Sequence, residues 1–104
     1  MDKEALVNEL NVIYNLLVEF KGKIDADDPD KVGLLKVGCV VPSHKLTVLV
    51  AEQVLAKSDM DLEPLKGLMN ELSEYCKGFE NGDRNKAKLD SIITDLKAYI
   101  DGLA

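Results

Sequence analysis

Apolar residues recur in this chain at alternating steps of four and three, and that period decides most of what it can fold into. Leu6, Leu10, Ile13, Leu17, Phe20 and Ile24 form one such series. Leu65, Met69, Leu72, Cys76 and Phe79 form a second, and Leu89, Ile93, Leu96, Ile100 and Leu103 a third. A helix of 3.6 residues per turn gathers each series into one stripe, whereas a half-buried strand would alternate at every second position. A mean step near 3.5 is also the period at which helices lie side by side with a slight left-handed supercoil. The spacing predicts three amphipathic helices, the first over about 2–22, each able to contribute one stripe to a shared core.

The punctuation agrees. Gly22 loosens the end of the first helix, and KIDADDPDK after it reads as an acidic loop in which Asp28 caps a new helix with Pro29 at the first helical position. Asp61 is placed to cap the next helix, with Pro64 inside the first turn where a missing N–H costs no intrahelical bond. ENGD closes that helix: Gly82 or Asn81 can take the left-handed conformation and Asp83 can cap the last one, which Gly102 marks as ending.

One stretch resists the pattern. KVGCVVPSHKLTVLVAEQVL, residues 36–55, is apolar on several faces and carries Pro42 in its middle. Its β-branched residues admit a hairpin of KVGCVV and LTVLVA across PSHK, around residues 32–51. Leu46, Val50 and Val54 with Leu49, after a capping Ser43, favour a helix over about 43–57 instead, preceded by a short helix over about 29–40 and a break at Pro42. An isolated two-stranded hairpin is marginal without further packing, so helix is the expectation. The fold class expected is all-α: one antiparallel bundle of four main helices spanning residues 1–104.

Charge narrows the function. Thirteen basic residues face nineteen acidic ones for a net −6, with one arginine and no tryptophan. A nucleic-acid binder needs a basic stripe and stacking aromatics, so direct nucleic-acid binding is not expected. Two cysteines make no disulfide framework, and the acidic opening MDKEALVNEL is unlike a secretory leader. The long apolar stretch is interrupted by Lys36, His44, Lys45 and Glu52, too many charges for a membrane span. A soluble cytoplasmic protein is expected, with no membrane contact.

Side-chain sets able to do chemistry are thin. Catalysis by a cysteine or serine needs a base, and His44 is the only histidine. Cys39 lies five residues before it, but among valines a cysteine behaves as a small buried hydrophobe, and His44 falls on a helix rim. A zinc site from Cys39, His44 and Cys76 lacks paired spacings and a fourth ligand. The Asp25–Asp30 loop fails as a calcium loop, because its sixth and twelfth positions are Asp30 and Lys36 rather than glycine and glutamate. Glu71 and Glu74 stand one turn apart, which leaves a metal-dependent nucleotide hydrolase as an alternative without a supporting phosphate-binding cluster. No metal, cofactor or catalytic residue is expected.

What remains is surface. Asp25, Asp27, Asp28, Asp30, Asp59, Asp61, Glu63, Glu71 and Glu74 form a candidate acidic patch for a basic protein partner, which would steer association and weaken with salt. Val37, Val40, Val41 and Val48 form a candidate self-association face, either the buried axis of the bundle or the place where a second chain completes a homodimer. The expected function is a non-enzymatic protein-binding module that masks a basic partner, as phage inhibitors and immunity proteins do, by analogy of charge and size alone. A structural homo-oligomer is the alternative.

Overall fold

The computed structural model describes residues 3–25, 32–57, 61–80 and 86–103. Four helices account for nearly all of them: α1 (Lys3–Asp25), α2 (Val32–Leu55), α3 (Glu63–Glu80) and α4 (Lys86–Leu103). Each packs on its neighbours in sequence, and α1 also packs on α4, closing a four-membered ring. Cross-helix contacts give the directions. Lys21 pairs with Asp90, and the Lys97 ammonium lies 5.5 Å from the centre of the Tyr14 ring, so numbers rise along α1 as they fall along α4. Between α3 and α4 the contacts are Glu74 with Lys88 and Asp61 with Tyr99, again antiparallel. The result is the expected up-down-up-down bundle, 43 × 22 × 19 Å.

The expected seam of α1 is buried at Leu6, Leu10, Ile13, Leu17 and Phe20, and the side chain of Ile24, its last member, lies outside the described residues. In α3 the buried set is Leu65, Leu68, Leu72, Tyr75, Cys76 and Phe79, with Met69 only half-buried. In α4 it is Leu89, Ile92, Leu96 and Ile100, with Ile93 and Leu103 at the margin. Leu68 and Ile92 widen the stripe because a helix in a four-membered ring meets two neighbours, not one. The diagonal between α1 and α3 is filled by aromatics: Phe20 meets Phe79 at 5.3 Å and Tyr75 at 6.3 Å between ring centres, both edge to face.

The stretch around Pro42 differs from expectation. Neither the break nor the hairpin forms; α2 is one helix from Val32 to Leu55 with Pro42 inside it. An interior proline removes one hydrogen bond, here to the carbonyl four residues back, and costs about 3 kcal/mol or more. That loss is local. The buried stripe continues through it, from Cys39 and Pro42 to Leu46, Leu49, Val50 and Gln53, so tertiary packing holds both halves in line. Ser43 is therefore not a cap but an interior residue whose carbonyl accepts from Thr47 Oγ1 at 2.9 Å. Val54, assigned to the inner face by sequence, is half exposed, and Gln53 takes its place at 1% exposure.

The termini of the helices are set by local bonds. Asp61 caps α3 as expected, its Oδ1 accepting from Glu63 N–H at 3.1 Å, and its carbonyl accepts from the Tyr99 hydroxyl at 3.0 Å. Burial, and then the nearby Asp61 charge, raise the Tyr99 hydroxyl above its ordinary pKa. α2 closes through Lys57, whose φ of 52° is the left-handed conformation that glycine adopts more cheaply. α1 runs on to Asp25, past Gly22, around which a Cβ would meet nothing within 4 Å. The expected caps at Asp28 and Asp83 and the turn at Asn81 and Gly82 lie outside the described residues.

Candidate functional site

The sequence presents Cys39 and Cys76 as separate packing residues, and the structure corrects this: they form a disulfide between α2 and α3, with Cα atoms 5.9 Å apart. Both are buried. Sequence could not show it, because pairing depends on which faces of two helices meet. The bond also consumes the sulfur that a Cys39/His44 dyad or a zinc site would have used, and His44 stands exposed on the far side of the helix. Among the described residues no three of His, Cys, Asp and Glu gather closely enough to hold a metal ion.

The acidic residues do not form one described patch. Asp27, Asp28, Asp30 and Asp59 lie outside the described residues, as does the side chain of Asp25 at the end of α1. Of the rest, Asp61 is engaged as a cap, Glu63 lies 3.4 Å from Lys66, and Glu74 lies 3.8 Å from Lys88. These are exposed pairs, each worth about 0–1 kcal/mol, so they neutralise charge more than they stabilise. Glu71 is exposed beside a shallow groove between α3 and α4 that also touches Pro64 and Asp95. Glu71 and Glu74 stand on open helix surface.

The valines sort differently. Val37 lies in α2 but its side chain is outside the described set, whereas Val40, Val41 and Val48 are 47%, 37% and 40% exposed. Sequence reasoning missed Val54 at 50% and Leu55 at 82% exposure, which belong to the same side. The signal was present: Val41, His44, Val48, Ala51 and Leu55 follow steps of three, four, three and four, and all five are exposed. At 100° per residue this series lies about opposite the buried Cys39–Leu46–Gln53 stripe. So α2 carries two apolar stripes, one facing the bundle and one facing water, which is why its periodicity was obscure.

The flanks of the outer stripe are unlike each other. Lys45 and Glu52 border it on the α1 side, where His44, Lys45, Val48 and Glu52 form a shallow groove with Glu9. Val40, Thr47 and Val54 border it on the other. No described helix is long and apolar enough to cross a membrane. No protein-family model, curated protein or solved structure matches the chain.

Proposed function

We propose that this chain is a non-enzymatic protein-interaction module and that the outward face of α2 is its contact surface. The observation that carries the reading is the exposed stripe of Val41, Val48 and Leu55 on a helix whose opposite side already supplies its share of the core. Apolar surface left in water forgoes about 25 cal/mol per Å² that burial against another chain recovers. A contiguous exposed stripe, rather than scattered residues, marks a contact site. A photo-crosslinking side chain at position 48, compared with one at position 71, tests this in the cells that make the protein. The expected result is a covalent adduct with another polypeptide, a second copy included, from position 48 and not from 71. Adducts from neither position would remove the reading.

Masking of a basic partner by the acidic surface is the second reading, supported by the net charge of −6 and the exposed Glu71. It predicts adducts from position 71 that disappear as salt is raised. A cytoplasmic setting stands as a proposal, and the buried Cys39–Cys76 bond weighs against it, since disulfides persist mainly in oxidising compartments. Rapid acid quenching, then thiol alkylation of the denatured chain near neutral pH and mass measurement, decides between the two.

A further inference from the structure

We infer that the partner of the α2 face is a second copy of this chain, docked with its own α2 antiparallel about a two-fold axis near Val48 and Ala51. The inference rests on the contact surface proposed above and names its occupant. Three observations carry it.

The first is the period. His44, Val48, Ala51 and Leu55 repeat at the step that keeps two helices in contact, and these four overlap in a pair that crosses near Val48 and Ala51. A seam with that period is fitted by another helix with that period, and α2 itself is one.

The second is charge. The chain as a whole is at −6, so two copies repel across most orientations. α2 is the exception: from Val32 to Leu55 it carries Lys36, Lys45 and Glu52 as its only formal charges. A basic partner would find its least favourable landing here, whereas a second copy brings only a net charge of +1 on this helix in place of the −6 of the whole chain.

The third is the arrangement of the flanks, which sets direction and register. In a parallel pair the flank bearing Lys45 and Glu52 would face the partner's Val40, Thr47 and Val54, setting charge against uncharged and mostly apolar groups. In an antiparallel pair each flank meets its own kind. Val48 then packs beside the partner's Ala51 and Leu55 beside the partner's His44, while Lys45 lies across from the partner's Glu52 and Glu52 across from the partner's Lys45. Sliding one helix by a heptad would set Lys45 against the partner's Lys45, a like-charge contact that disfavours that register. The two-fold makes each pair occur twice, so charges of both signs are satisfied with no other group required.

Sedimentation equilibrium of the full, oxidised chain tests this. Wild type is expected at twice the 11.5 kDa chain mass. Val48→Glu and Leu55→Glu, at positions already exposed, are expected to sediment as monomers with unchanged helical circular dichroism. Lys45→Glu and Glu52→Lys are each expected to weaken association about tenfold, because each creates two like-charge contacts. The double variant Lys45→Glu/Glu52→Lys is expected to restore it. Glu71→Lys, away from the seam, is expected to leave the dimer intact. A wild type that stays monomeric at high micromolar concentration overturns the inference, and so does a double variant no tighter than either single one. A monomer that still gives an adduct with a different protein from position 48 sinks the homodimer and leaves the contact surface standing.

Discussion

α2 and α3 lie side by side, bonded through Cys39 and Cys76, yet they use their surfaces in different ways. α3 is apolar where it faces the bundle and polar elsewhere: Glu63, Asn70, Glu71, Glu74 and Lys77 are all exposed. α2 buries an equivalent stripe and then repeats an apolar series on the side that faces water. The monomer's core requires only the first stripe of each helix. The second stripe of α2 lies outside that core, and the proposed contact rests on it.

Substitutions can break or sharpen this contrast. The largest expected effect is also where the two helices should agree: Leu46→Ala in α2 and Leu72→Ala in α3, at 1% and 0% exposure, should each cost about 2–5 kcal/mol in urea unfolding. A much smaller loss at Leu46 would mean that α2 is not held by its inner stripe. Reducing the Cys39–Cys76 bond should cost up to about 4 kcal/mol, because it releases a closed loop spanning 37 positions. The comparison is between oxidised chain and chain unfolded and refolded with reductant; equal midpoints would show that packing alone registers the two helices.

A smaller effect is expected at Gln53, fully buried with an amide nitrogen that has no hydrogen-bond partner. Gln53→Leu should raise stability by about 1 kcal/mol by removing that donor from the core. A loss instead would show that the amide is satisfied in solution. The smallest is on the polar side of α3, where a Cβ at Gly67 would meet nothing within 4 Å. Gly67→Ala should add about 0.5–1 kcal/mol through helix propensity and leave association unchanged, whereas Val48→Glu should do the reverse.

How far each region could be read in advance follows from the same contrast. The seams of α1, α3 and α4 were legible because one side of each helix is apolar and the other is not, and the cap at Asp61 because its side chain acts on its own backbone. α2 was illegible for a physical reason. Two apolar stripes on opposite sides cancel the periodic signal, and a proline in the middle reads as a break unless packing on both sides is known. The valines were recognised as a face, yet Leu55 and Val54 were not attached to it, because which stripe faces inward depends on neighbours that a linear sequence does not place. The disulfide and the buried Gln53 amide depend on long-range pairing in the same way.

The Cys39–Cys76 bond also changes the connectivity of the molecule. It turns the chain into a closed ring, made of most of α2, the connection through 56–62 and most of α3, with α1 and α4 as two tails leaving it. A protease that nicks the connection at 56–62 would then yield pieces that travel together, each still tethered to the other through the core. Only a reductant would let them part.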